Sequence, residues 1–202
     1  MTESRHPVLL VRHGQTTWSA EGRHTGRTDV PLTEEGRRQA SRVGTRLAEV
    51  PWALVLSSPL ARARETCRLA GLGVVAQTDP DLAEWDYGAY EGLTTAEIRS
   101  QRPSWWLWSD GCPAGESPAD VAARADRVIN RCMAADGPVA LFSHGHLLRV
   151  LGSRWVDADA GMGAVLLLST AAISVLGWER DTPVLARWND TSHVDGGSAL
   201  PD

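Results

Sequence analysis

Several short runs of this chain are apolar at nearly every position rather than at alternate ones. Val8-Leu9-Leu10-Val11, Ala53 to Leu56 and Val139-Ala140-Leu141-Phe142 have the pattern of strands covered on both faces. Val74 to Thr78 reads as a further strand, and the runs Ala164 to Leu168, Ala172 to Leu176 and Val184 to Trp188 complete a sheet. Helical patterns lie between them. Thr33-Glu34-Glu35 opens one in which Ala40, Val43 and Leu47 recur at helical spacing, with acids at the positive end of the dipole and Pro51 beyond its end. Others run from Leu60 to Ala70, Thr94 to Gln101, Ser117 to Met133 with Ser117 as N-cap, and Leu147 to Trp155. Asp190 to Asp202 reads as a polar, frayed tail. The alternation predicts an α/β fold, and with no internal repeat or linker it predicts one domain over residues 1–202.

Three of the strands end in polar residues: Arg12-His13-Gly14, Ser57-Ser58-Pro59 with Arg62 just beyond, and Ser143-His144-Gly145-His146. Ligands of open α/β sheets bind outside the carboxyl ends of the strands, so these clusters are expected to converge on one crevice.

Composition narrows the chemistry. A chain of 202 residues, 43% hydrophobic, suffices for one domain with a sizeable core. Its net charge of −5 gives no whole-molecule attraction for nucleic acid or an anionic membrane, so an anion has to be caught locally. All 20 cationic residues are Arg, which excludes a P-loop lysine and any Lys Schiff base. Cys67, Cys112 and Cys132 form no C-x-x-C pair and read as ordinary buried residues of a reducing compartment. Val8 to Val11 is too short for a signal peptide, and Ser169, Thr170 and Ser174 interrupt the longest apolar stretch, so the reading is a soluble cytoplasmic protein. No metal or other cofactor is expected. His144 and His146 lack a carboxylate or Cys at ligand spacing, and Gly71-x-Gly73-x-x-Ala76 follows a helix where a dinucleotide fingerprint follows a strand.

Arg12-His13-Gly14 carries the strongest chemical signal. A neutral imidazole attacks phosphorus in line when its other nitrogen donates to a backbone acceptor that fixes the tautomer. The phosphoryl oxygens then need preorganised cations, which the planar fork of Arg supplies. Arg12 and Arg62 are the candidates, and a protonated His144 would add a third donor.

Taken in order, Leu10-Val11-Arg12-His13-Gly14-Gln15-Thr16, Thr28-Asp29-Val30-Pro31-Leu32-Thr33, Ser57-Ser58-Pro59-Leu60-Ala61-Arg62-Ala63, Gly115-Glu116-Ser117 and Ser143-His144-Gly145-His146 resemble the phosphoglycerate mutase-like histidine phosphatase superfamily. The resemblance implies a three-layer α/β/α sandwich with a mostly parallel central sheet. It also implies His13 as the phosphorylated nucleophile, with Arg12, Arg62 and His144 as phosphate ligands. The family's proton-donating carboxylate matches Glu84; by chemistry alone Asp86 and Glu91 are its rivals. Gln15, Thr16 and Ser19 fall where the family binds phosphate, although Gln15 replaces a frequent Glu and Ser19 a frequent Asn.

Within that family the mutase branch usually has Arg after the catalytic Glu, a Lys on the substrate and a long insertion. Here Trp85 follows Glu84, Lys is absent and the chain is short, which favours a phosphatase over a mutase or a non-catalytic phosphate-binding module. Glu84 to Gly92 and Trp105 to Cys112 are similar to the branch with fungal sedoheptulose-1,7-bisphosphatases and actinobacterial acid phosphatases. That implies a small phosphate ester, such as a sugar phosphate, as substrate; a homo-oligomer is compatible with this. Trp105, Trp106 and Trp108 read equally as core or as a wall or lid of the pocket, and Arg99 and Arg102 equally as solvated charges or as ligands for a second anion of the substrate.

Overall fold

Val8 and Leu10 face one side of strand β1 (Val8–Arg12), Leu9 and Val11 face the other, and both sides are covered. The loop after β1 holds a short helix, α1 (Thr17–Ala20), and leads to α2 (Glu34–Leu47). Then follow β2 (Leu54–Ser57), α3 (Ala61–Leu69) and a two-residue strand, β3 (Gln77–Thr78). Two short helices, α4 (Thr95–Gln101) and α5 (Leu107–Asp110), precede α6 (Pro118–Met133). The chain closes with β4 (Val139–Ser143), α7 (Gly145–Trp155), β5 (Ile173–Glu179) and β6 (Thr182–Asp190). These elements come from a computed structural model that describes residues 5–194.

The six strands form one sheet of order β3-β2-β4-β1-β5-β6. Neighbours from β3 to β1 run parallel, and β5 and β6 are antiparallel. Arg12 lies opposite Ser143 and Ser57 opposite Phe142, so β1, β4 and β2 end at the same level. Leu56, Leu10 and Leu141 pack on one face with Val121, Val128, Leu148 and Leu151 of α6 and α7. Val55, Val11 and Phe142 pack on the other with Val43, Leu47 and Cys67 of α2 and α3. The fold is therefore the expected α/β/α sandwich. No helix among the described residues is long and apolar enough to cross a membrane.

Local chemistry sets the helix starts. Thr33 caps α2 by accepting from the Gly36 N–H at 3.0 Å, and Ser117 and Thr94 cap α6 and α4 with reciprocal bonds from Asp120 and Glu97.

Three expectations need correction. Of Val74 to Thr78 only Gln77 and Thr78 pair: the N–H groups of Val75 and Ala76 both turn back to the Leu72 carbonyl, leaving Val74 and Val75 exposed. Ala164 to Leu168 is no strand, because Ala160–Val165 is a 3-10 helix and the carbonyls of Ala164 and Leu168 accept from Arg149 and Arg12. The tail does not fray at Asp190, which pairs with Ile173 at the end of β6. Beyond it, Val194 is buried and its carbonyl accepts from Arg42. The rest of that stretch, 195–202, lies outside the described residues.

Candidate active site

His13 continues β1 by one residue, its N–H donating to the Ser143 carbonyl at 2.9 Å. Its Nδ1–H donates to the Gly14 carbonyl at 2.8 Å, which leaves the lone pair of Nε2 free as a nucleophile. Burial, together with the nearby charges of Arg62 and Arg12, holds the ring well below the usual histidine range, so it is neutral. Gly14 is held by backbone contact: a Cβ there would stand 2.3 Å from the Gly36 carbonyl oxygen, and one on Gly36 would stand 2.1 Å from that of Gln15. The first turn of α2 thus fixes the peptide that orients the imidazole.

Arg12 and Arg62 flank this ring. The Arg12 guanidinium lies against the start of α7, where a Gly145 Cβ would be 3.3 Å from its Nε. Its Nη1 donates to the Leu168 carbonyl, and its buried Nε–H has no acceptor among the described residues. Arg62 is fully buried and donates to the carbonyls of Thr25, Gly26 and Thr28 at 2.9 Å each. Its Nε–H donates to Nδ1 of His144 at 3.1 Å, while Nε2 of His144 pairs with Ser58 Oγ at 2.7 Å. His144 is fully buried, 5.1 Å from His13 between ring centroids. A ring that accepts at Nδ1 is neutral, and burial and Arg62 hold it so, which removes the protonated third donor that the sequence suggested.

Glu84 is 8% exposed and sits on the N-terminus of α7. Its Oε1 accepts from the Trp85 and Leu147 N–H groups at 2.9 Å each, and its Oε2 from the His146 N–H at 3.0 Å. With Oε1 saturated, a proton on Glu84 belongs on the remaining lone pair of Oε2. Because this carboxyl caps it, α7 begins at Gly145, before the Leu147 that periodicity indicated. Arg124 pins the loop by donating to the carbonyls of Asp81 and Ala83 and pairing with Glu116 at 2.7 Å, which gives Glu116 a bracing part. The rival carboxylates are occupied: Asp86 pairs with Arg27, and Glu91 accepts from Gly26 and Thr28.

Arg12, His13, Ser19 and Glu84 line a cavity of about 240 Å³ with His24, Tyr87, His146 and Arg149; Arg62 and His144 are buried behind it. A larger depression of about 910 Å³, between Arg37, Arg64 and Val74, contains neither His13 nor Glu84, so the chemistry belongs to the smaller one. Ser19 reaches the wall, but its hydroxyl donates to the Thr16 carbonyl and accepts from the Thr16 N–H. Thr16 caps α1, and the Gln15 side chain accepts from Thr33. Trp105 and Trp108 are buried behind the wall and Trp106 is half exposed, which is packing and not a lid. Arg99 donates to the Trp105 carbonyl and lies 5.4 Å over Trp106, and Arg102 pairs with Asp110 at 3.3 Å. Neither lines the cavity, so the structure does not bring them to the substrate.

Sequence reasoning missed Tyr87 and Arg149, and noted His146 only as part of the polar end of β4. The Tyr87 hydroxyl is hydrogen-bonded with Nδ1 of His146 at 2.6 Å, and burial raises the phenol well above its ordinary range while it lowers the imidazole. The spacing of His146 and Arg149, one turn apart on α7, was the available signal. The three thiols are buried and held up at about 12, which makes them inert. Among the described residues no cluster of His, Cys, Asp or Glu offers three metal ligands.

The chain is similar to known proteins over most of its length. The chain is 44% identical to an acid phosphatase of Mycobacterium tuberculosis, over 93% of this chain and 94% of that one. It is 36% identical to the sedoheptulose 1,7-bisphosphatase of Saccharomyces cerevisiae, over 73% of this chain and 66% of that one. The solved structure of an open reading frame from Mycobacterium tuberculosis superposes with a TM-score of 0.85 at 43% identity, covering 91% of this chain and 97% of that one. The model of the histidine phosphatase superfamily (branch 1) matches residues 8–191, and the chain belongs to that family.

Proposed function

We propose that the chain hydrolyses small phosphate monoesters, sugar phosphates among them, through a phosphohistidine on His13. The observation that carries this reading is the bond from His13 Nδ1–H to the Gly14 carbonyl, which leaves the lone pair of Nε2 free in the cavity that Arg12 also lines, its Nε–H without an acceptor among the described residues. Nε2 attacks phosphorus while the ester P–O bond breaks, and the proton on Glu84 Oε2 passes to the leaving oxygen. Water then attacks the phosphohistidine. Its proton returns to Glu84, the N–P bond breaks and inorganic phosphate leaves. Arg12 holds the phosphoryl oxygens, and Arg62 adds positive charge from behind.

With guanidinium groups in this role the reading calls for no metal or other cofactor. We place the enzyme in the cytoplasm as one domain over 1–202, acting on a small-molecule ester without nucleic-acid or membrane partners. The test is purified protein with p-nitrophenyl phosphate in EDTA, followed by an assay for isomerisation of 3-phosphoglycerate. Hydrolysis supports the reading. Isomerisation in its place supports the mutase alternative, and turnover of neither overturns both.

A further inference from the structure

The Leu168 carbonyl that receives Nη1 of Arg12 belongs to an irregular strap, residues 166–169, between a 3-10 helix and β5. A strap anchors a guanidinium only if its own peptides are fixed, and two side chains of β6 fix them. Trp188 Nε1–H donates to the Leu167 carbonyl at 2.6 Å, and Asn189 Oδ1 accepts from the Ser169 N–H at 2.7 Å. The Ser169 N–H and the Leu168 C=O are the two ends of one planar peptide unit. Asn189 therefore grips that unit on one side while Arg12 bonds to it on the other, and turning the peptide would break both bonds.

The backbone of β6 departs from a regular ladder at this place. Ile173 lies opposite Asp190 and Val175 opposite Arg187, which leaves Ser174 facing both Trp188 and Asn189. Such a bulge re-aims side chains. Asn189 has a φ of 55°, in the left-handed region that Asn enters more readily than most residues, and its N–H donates to Ser174 Oγ at 3.0 Å. The Trp188 ring is seated on α7, where a Cβ on Gly152 would stand 2.7 Å from it. Both residues lie outside the wall of the cavity that holds His13 and Arg12.

We propose that Asn189, seconded by Trp188, is a positioning residue for phosphoryl recognition: through the peptide between Leu168 and Ser169 it holds the Arg12 guanidinium in place before substrate arrives. The inference rests on the phosphomonoesterase reading above and adds to it a residue remote from the reacting atoms. A donor fixed in advance costs no reorganisation during the reaction, so loosening the strap weakens the hold on the phosphoryl group. That group is common to every ester, and selectivity between esters stays as it is.

The test compares Asn189→Gly, which removes the acceptor and tolerates the positive φ, with Asn189→Asp, which keeps an acceptor oxygen. The substrates are p-nitrophenyl phosphate and phenyl phosphate, with inorganic phosphate as competitive inhibitor. Asn189→Gly is expected to lower kcat/KM about 10-fold on both esters alike and to raise the Ki of inorganic phosphate by a similar factor, while Asn189→Asp stays close to the wild type. A purely structural role would lower the urea midpoint of Asn189→Gly and leave the kinetics of the folded enzyme unchanged, and that result overturns the inference. Equal losses in the Gly and Asp variants overturn it too, because they assign the effect to the bulged backbone. Trp188→Phe keeps a ring on Gly152 but removes the N–H on the Leu167 carbonyl, and is expected to raise the Ki by a smaller factor. If Asn189→Gly does not fold, unchanged kinetics in Trp188→Phe overturn the inference in its place. If the wild type hydrolyses p-nitrophenyl phosphate and the folded variants match it, only this inference fails. If the wild type hydrolyses neither ester, the parent reading fails with it.

Discussion

The Nε–H of Arg62 donates to Nδ1 of His144 across 3.1 Å, and this bond sets the charge of the ring. Nδ1 cannot carry a proton while it accepts one, so the positive charge stays on the guanidinium. The second histidine of the site is thereby a spacer between Arg62 and Ser58. Charge enters the site from arginines, which keep it at every working pH.

Stability should therefore depend on acid in a defined direction. His13, His24, His144 and His146 are all held below the ordinary value of 6.5, His24 to about 4, with burial the largest cause in each. The unfolded chain takes up these protons first, so stability is complete above about 6.5 and falls as pH drops toward the folded values. Each ring withdraws about 1.4 kcal/mol per pH unit in that window. Urea unfolding at pH 7.5 and 5.5 measures the loss, and His24→Gln should shrink it by about 1 kcal/mol. A profile with no fall between these pH values would contradict the buried neutral rings.

His13→Ala should abolish turnover and leave the fold intact. Acid quench of the wild type with labelled substrate should trap acid-labile, base-stable phosphate on His13. Label on a serine, aspartate or cysteine would defeat the mechanism.

Glu84→Gln should slow alkyl phosphates far more than p-nitrophenyl phosphate, whose leaving group barely needs a proton. The amide also sets an NH2 group against at least one of the three backbone N–H donors. A stability loss of about 1–3 kcal/mol should accompany the kinetic one. Equal slowing of both esters would take the proton-donor role away from Glu84.

Two glycine substitutions should separate fold from site. Gly14→Ala places a Cβ 2.3 Å from a backbone oxygen and should cost several kcal/mol in urea unfolding. Gly145→Ala meets only the end of the Arg12 side chain, at 3.3 Å, and should lower kcat/KM by about 10-fold or more with little change in stability. If Gly145→Ala retained full activity, Arg12 would not need its present place.

The sheet was legible wherever strands are buried on both faces, because burial writes itself as unbroken apolar runs such as Val8 to Val11 and Val139 to Phe142. Val74-Val75 and Ala164 to Leu168 misled for the converse reason: apolar residues also occupy turns, and Val74, Val165 and Leu167 are largely exposed. At the site, the polar strand ends revealed Arg12, His13 and Arg62, while Glu84 was ranked by resemblance. Arg149 stayed hidden because its partners are main-chain carbonyls and an indole, none of which leaves a charge pattern. Arg99 and Arg102 drew attention by proximity in sequence to tryptophans that pack inward.

The contact of Gly14 with Gly36 also bears on how such an enzyme can diversify. Because two touching main chains hold the His13 Nδ1 proton in place, the side chains at Ser19, His24 and Arg149 are free to vary without disturbing it. New substrates are then reached by repainting the cavity wall over an unchanged reactive atom, and the two glycines are the positions where drift is least tolerated.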